Sequence, residues 1–138
     1  VCGIDFSAES VATSLRKNAG AVAAGRCEVR QGDVSRLPYA DASFDLVTAF
    51  ETVYFWPDVS AAFAEVFRVL GPSGVFLIVN EESGDSRWCS IVDGMRTYTA
   101  DALAGWLRAV GFVDVRSDVR GEGGALCLVA RKGPDSVA

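Results

Sequence analysis

The feature that most restricts the fold is the run Phe44–Phe50, FDLVTAF, set within the longer stretch Gln31–Asp58. A nearly continuous apolar run, entered from a Pro-containing turn, predicts a parallel strand buried on both faces rather than an alternating, half-wet one. The chain leaves this strand at Glu51, with Tyr54, Phe55 and Trp56 crowded just beyond. Open α/β sheets take their ligands at the carboxyl ends of such strands. Asp33, Glu51, Tyr54 and Trp56 fall at two such ends, so this stretch is where function is to be sought.

The flanking chain alternates strand and helix. Val1 to Ile4 is a short apolar strand ending at Asp5. Ser7 can cap a helix, with Glu9 near its positive end, and Val11, Leu15, Ala19 and Val22 recur at helical spacing up to Gly25, a left-handed stop. Cys27, Val29 and Gln31 alternate with Glu28 and Arg30, a strand with one wetter face. A loop over Val34–Ser43 carries Pro38 into the central strand. Asp58 or Ser60 opens a second helix, in which Val59, Ala62, Phe63, Val66, Phe67 and Leu70 keep one apolar face; Gly71-Pro72 should stop it and Gly74 turn the chain. Val75–Val79 is another apolar strand, ending at Asn80-Glu81-Glu82.

Residues 81–98 show no clean period, and a connection that long in a compact domain is usually functional or mobile. Thr99 caps a third helix with Leu103, Trp106, Leu107 and Val110 inward, ended by Gly111 and Phe112. Val113–Val119 and Ala125–Arg131 read as an antiparallel pair across Gly121-Glu122-Gly123-Gly124, with Lys132–Ala138 a frayed tail. The expected fold is α/β, doubly wound, with a mostly parallel sheet and a C-terminal antiparallel hairpin. One domain, residues 1–131, would hold all of it.

Composition removes several chemistries. A net charge of −5 argues against a phosphate-backbone binder, since that affinity comes from clustered Lys and Arg; nucleic acid is not an expected partner. The chain has no His, so Ser-His, Cys-His and His-metal mechanisms are closed to it acting alone, and no metal site is expected. Cys2, Cys27, Cys89 and Cys127 lie far apart beside apolar or strand-like residues, where free Cys acts as a small hydrophobe; a reducing cytoplasm is the default location. No run of apolar residues is long enough to span a membrane.

A set of fragments in one order and spacing carries a resemblance. Gly3-Ile4-Asp5-Phe6-Ser7, Gly32-Asp33, Leu37-Pro38 with Phe44-Asp45-Leu46-Val47, and Arg68-Val69-Leu70-Gly71-Pro72-Ser73-Gly74 together resemble a class I S-adenosylmethionine-dependent methyltransferase of the type 11 kind, whose fold is Rossmann-like. The Tyr98-Thr99 helix with Gly111-Phe112 is similar to that family's last helix and strand. The resemblance implies S-adenosylmethionine as cofactor, with Asp5 on the ribose hydroxyls, Phe6 on the adenine ring, and Asp33 with the backbone of Val34 at the adenine amino group; Phe50, closing its strand, is counted on the cofactor side. It also places the methyl-accepting pocket after the central strand, at Glu51, Tyr54 and Trp56, with Trp88, Met95 and Tyr98 as a lid.

Plainer readings stand beside each role. Asp5 can be a capping acid, Phe6 core, and Asp33 a turn-forming Asp bonded to its own backbone. Tyr54 and Trp56 can pack under the next helix, and Glu82 reads as a solvated surface acid. Aromatics at the site would exclude water around a sulfonium and hold a cation by their faces. Methyl transfer needs little acid–base machinery, because aligning donor and nucleophile supplies much of the effect, so the lack of His is compatible with it.

The family's first strand and glycine-rich loop have no counterpart and should precede Val1, which already lies inside an apolar run. The chain therefore reads as the later part of something longer, with two strands left with unpaired inner edges. Alone it is expected to bind cofactor weakly or not at all, or to regain the strand from a partner in a strand-exchanged homodimer. Two other readings remain open: a nicotinamide-dependent oxidoreductase fragment, because a strand-tip acid also binds an NAD ribose, and a non-enzymatic strand-exchanging α/β module. The expected acceptor is a small molecule; neither its identity nor its nucleophilic atom is legible.

Overall fold

The computed structural model describes residues 1–122 and 124–134. The chain divides into two compact units, Val1–Pro38 and Tyr39–Ala138. In the first, β1 (Cys2–Asp5) pairs in parallel with β2 (Glu28–Gln31), with Asp5 opposite Gln31. The connection holds α1 (Ala8–Lys17) and α2 (Ala19–Ala23). Ser7 caps α1 as expected, its hydroxyl accepting from the Ser10 N–H at 3.2 Å. The single helix expected through Val22 breaks instead at Asn18, whose Nδ2 donates to the Ser14 carbonyl at 2.8 Å. A short amide side chain competes with the backbone for such carbonyls and turns the helix aside. Gly25 takes the left-handed φ of 70°. No residue of these four elements is buried.

The second unit is built on a four-stranded sheet of order β3-β4-β6-β5. β3 (Phe44–Phe50) lies parallel to β4 (Leu70–Asn80), which pairs antiparallel with β6 (Leu126–Arg131), itself antiparallel to β5 (Val113–Val119). Helices α3 (Val59–Val69) and α4 (Ala100–Val110) supply the apolar cover. The fold is α/β with a mixed sheet: parallel pairs come first and the C-terminal pair is antiparallel, as the turn spacing implied. Gly123 of the expected hairpin turn and residues 135–138 of the expected tail lie outside the described residues.

Period-2 alternation puts Phe76 and Ile78 of β4 on one face with Leu126, Leu128 and Ala130 of β6, all buried. Phe63 of α3 meets Phe76 edge-on at 5.6 Å, and Phe67 meets Phe112 at 5.1 Å. Leu103 and Leu107 close this core from α4, whereas Trp106 and Val110, expected inward, are only half-buried. Asp58 and Thr99 cap the two helices, accepting from Ala61 N at 2.9 Å and Ala102 N at 3.1 Å.

Three expectations need correction. β3 is not buried on both faces: Ala49 is buried, but Leu46 and Phe50 on the opposite face are each 56% exposed. Among the described residues β3 is an edge strand with β4 as its one neighbour, and only the Ala49 face meets the helix-covered core. Secondly, α3 ends at Val69 rather than at Gly71-Pro72, and residues 71–74 belong to β4, because Leu70 already pairs with Phe44. The buried Lys132 ammonium takes the helix-end carbonyls of Phe67 and Leu70 at 2.8 and 2.7 Å. Thirdly, Cys2 and Cys89 are exposed rather than packed as small hydrophobes; Cys27 and Cys127 are half-buried, and all four are free thiols.

Candidate functional site

In the first unit the candidate groups gather at the carboxyl ends of β1 and β2. Two bonds stitch these ends together: the Gly32 N–H donates to the Asp5 carbonyl at 3.0 Å, and Gln31 Nε2 to the Phe6 carbonyl at 3.0 Å. A Cβ at Gly32 would stand 2.7 Å from Ile4 Cδ1, so any larger residue there would need the Ile4 side chain to move. Asp5 and Asp33 therefore sit at the same end of one two-stranded sheet. Asp5 is half-buried, and its Oδ1 accepts from the Ser7 N–H at 2.8 Å; Oδ2 has no protein partner among the described residues. Asp33 is exposed, with Oδ1 accepting from the Ser35 N–H at 2.8 Å and the Ser35 hydroxyl at 2.7 Å. The backbone bond first and the hydroxyl second hold its carboxyl below the usual pKa. Asp33 thus builds the turn that sequence offered as its plain role, while its second oxygen stays open to solvent. Phe6 is 74% exposed, which removes the core reading for it, and Val34 is half-buried.

In the second unit the polar groups gather where β3 and β4 end. Glu51 takes a left-handed φ of 56°, a backbone strain that a side chain other than Gly adopts only when its surroundings enforce it. Its N–H donates to the Val79 carbonyl at 2.9 Å, and its carboxylate accepts from the Glu81 N–H. Tyr54 is buried, and its hydroxyl accepts from the Glu82 N–H at 2.8 Å. Burial, with the Glu51 charge added, pushes the phenol up to about 12. Glu51 and Tyr54, both singled out from sequence, each accept from a backbone N–H of the chain leaving β4, Glu81 for the carboxylate and Glu82 for the hydroxyl.

The other aromatics divide. Trp56 packs edge-on against Phe63 of α3, centroids 6.2 Å apart, so it serves the core as its plainer reading held. Phe50 is exposed at the end of β3. Trp88 is 38% exposed, with the Arg87 guanidinium 5.1 Å above its ring. Tyr98 rests edge-on against Trp106 at 5.2 Å and lines, with Met95, an open cleft of about 540 Å³ formed by the 84–98 segment.

Asn80 was missed. It is fully buried at the end of β4, and neither its side-chain oxygen nor its nitrogen has a partner among the described residues. The signal was present: Phe76, Ile78 and Asn80 share one strand face, so a polar residue closing that series must point into the core.

The family described as "Methyltransferase domain" matches residues 1–78. The chain belongs to that family, the class I S-adenosylmethionine-dependent methyltransferases. It is 35% identical over 74 residues to a demethylmenaquinone methyltransferase of Lactobacillus johnsonii, the match covering 54% of this chain and 30% of the relative. It is 37% identical over 83 residues to the demethylmenaquinone methyltransferase of Lactiplantibacillus plantarum, covering 60% of this chain and 35% of the relative. The chain spans about a third of the length of these curated relatives. Among solved structures, a Haloferax volcanii complex of a methyltransferase with its Trm112 activator superposes with a TM-score of 0.81 at 20% identity, covering 99% of this chain and 73% of that one. The cyclase SpnF gives 0.78 at 21%, covering 96% and 66%. These likenesses show the fold; the cyclase name is a reminder that one scaffold carries more than one chemistry.

The family's cofactor is S-adenosylmethionine, and the first unit has groups of the right kind for its nucleoside half. Asp5 keeps one carboxylate oxygen unbonded at a strand tip, and the exposed Phe6 ring is adjacent in sequence.

Proposed function

We propose that this chain serves S-adenosylmethionine-dependent methyl transfer to a small molecule, and that residues 1–131 act as one methyltransferase domain. The observation that carries this reading is Asp5 at the tip of β1, one oxygen fixed by the Ser7 N–H and the other open. An ionised carboxylate so held can accept hydrogen bonds from a ribose diol, and charge-assisted bonds of this kind are the strong ones. Phe6 offers a ring face to adenine, and Asp33 with the Val34 backbone would face the adenine edge.

S-adenosylmethionine, when bound, supplies a methyl group on an electrophilic sulfonium. The residues of this chain then have to bind, align and exclude water. On the acceptor side we assign Glu51 as the group that pairs with the acceptor or takes its proton. The Glu81 N–H holds the Glu51 carboxylate in place, and Tyr54, protonated at neutral pH, fastens the adjoining chain by accepting from the Glu82 N–H. The strained φ of Glu51 fits a residue held for a task rather than for stability. The free thiols suit a reducing cytoplasm, the location we propose.

A test is the amide NMR spectrum during titration with S-adenosylhomocysteine, which reads weak binding as well as strong. The expected shifts fall on Asp5, Phe6, Gly32 and Val34, and Asp5→Asn abolishes them. Silence at those amides, or the same shifts with NADH and none with S-adenosylhomocysteine, would overturn the assignment.

A second reading has one observation in its favour. β1 and β3 each have a single strand neighbour among the described residues, and Leu46 and Phe50 are exposed on β3. Open edges of this kind invite pairing between chains, so a strand-exchanged homodimer is the assembly to look for by light scattering.

A further inference from the structure

The cleft formed by residues 84–98 is lined by two arginines, Arg87 and Arg96, and by one acid, Asp85. Neither guanidinium makes a hydrogen bond to protein or lies within ion-pair distance of a carboxylate among the described residues. That is notable on a chain with 18 acidic residues against 13 basic ones. Both arginines are nevertheless placed. Arg96 is pinned through its backbone N–H, which donates to the Tyr54 carbonyl at 2.8 Å, so it is tied to the turn that carries Tyr54. Arg87 is held by its stacking over Trp88. The rim is closed on itself by the Gly84 N–H to Tyr98 carbonyl bond at 3.2 Å and by the Thr97 hydroxyl on the Gly84 carbonyl.

The remaining lining sets Cys89, Met95 and the Tyr98 ring beside Gly84 and the polar Ser86 and Thr97. A cleft of about 540 Å³ is within the range that takes a small organic ligand, roughly 300–1,000 Å³. Guanidinium is the group that matches a carboxylate with two parallel N–H donors, and neither arginine has a carboxylate partner among the described residues to give up. We propose that this cleft binds a small carboxylic acid with an apolar body, its carboxylate taken by Arg87 and Arg96 and its body lying against Met95 and Tyr98. Asp85 repels a second negative charge and so favours monoacids over diacids. That the acid is the methyl acceptor rests on the function proposed above; that it binds does not.

Calorimetric titration of the whole chain with 3-phenylpropanoate, 3-phenylpropan-1-ol and 3-phenylpropylamine tests this. The acid is expected to bind about tenfold or more tighter than the alcohol, and the amine not measurably, because a charge-assisted pair is lost in one and reversed in the other. Arg87→Gln and Arg96→Gln should each weaken the acid about tenfold. Arg96→Lys, which keeps the charge and loses the fork, should recover part of the loss. Circular dichroism establishes that each variant is folded. Equal affinity for acid and alcohol, no binding of the acid, or folded arginine variants that bind the acid like wild type would each overturn the proposal. Acid binding without Asp5-dependent shifts from S-adenosylhomocysteine would leave this cleft intact and sink the methyl-transfer reading; the converse result would do the opposite.

Discussion

The Tyr54 hydroxyl accepts a 2.8 Å hydrogen bond from the Glu82 backbone N–H, so a ring just beyond β3 fastens the chain that leaves β4. Tyr54→Phe removes the acceptor and leaves a partly buried donor without a partner. The expected cost is about 1–3 kcal/mol of unfolding free energy in urea, the usual penalty for an orphaned buried group. A variant as stable as wild type would mean that water replaces the hydroxyl freely.

The same phenol gives stability a pH dependence. Its pKa in the folded chain stands near 12, against an ordinary value of 10.0, raised first by burial and then by the Glu51 charge, with the Glu82 N–H pulling the other way. The folded state therefore holds the proton longer than the unfolded one does. The stabilisation is fully present below pH 10 and is lost as the pH climbs from 10 to about 12. Lys132 acts in the opposite sense: burial lowers its pKa from 10.5, so the folded chain sheds that proton first and stability rises as the pH approaches 10.5. Urea midpoints for wild type and Tyr54→Phe, compared at each pH, cancel the lysine. The gap between them should narrow across the window; a constant gap would refute the phenol's role.

Asn80 buries an amide with no partner among the described residues. Replacing it with the similar-sized Leu removes that desolvation cost and should raise unfolding free energy by about 1–3 kcal/mol. A loss of stability in Asn80→Leu would show that the amide is bonded in solution, by ordered water for example.

Stability should be uneven along the chain. β1 and β2 form a two-stranded sheet with no buried residue, whereas Phe76, Ile78, Leu126 and Leu128 of β4 and β6 are buried. Native-state amide exchange is therefore expected to be at least about a hundredfold faster in β1 and β2 than in β4 and β6, because opening the former exposes little apolar surface. Equal protection factors would refute this.

Several strand and helix boundaries were legible from a local signal. Phe44–Phe50 was read to the residue, and Asp58, Thr99 and Gly111 mark helix ends through caps that sequence displays directly. The break at Asn18 is a local failure, made by an amide bonded four residues back; the others lie where a distant partner decides. Gly71-Pro72 looks like a helix stop, but the chain was already extended at Leu70 because Phe44 pairs with it. Leu46 and Phe50 look buried, but apolar character alone cannot tell an edge strand from an inner one. At the candidate site, Glu51 and Tyr54 were visible as types and positions, yet their bonds to the Glu81 and Glu82 N–H groups and the φ of Glu51 depend on how β3 and β4 end together. Asn80 was hidden by its acidic neighbours, which drew attention to Glu81 and Glu82 instead.

The Lys132 ammonium reaches back across 65 residues to the Phe67 carbonyl and across 62 to that of Leu70. A helix terminus here is finished by an amine that arrives half a chain later. During synthesis the end of α3 must therefore wait, its last carbonyls in water, until the sixth strand has passed through. Loop closure over such a span is slow compared with helix growth, which makes seating of this one lysine a natural late event in assembly.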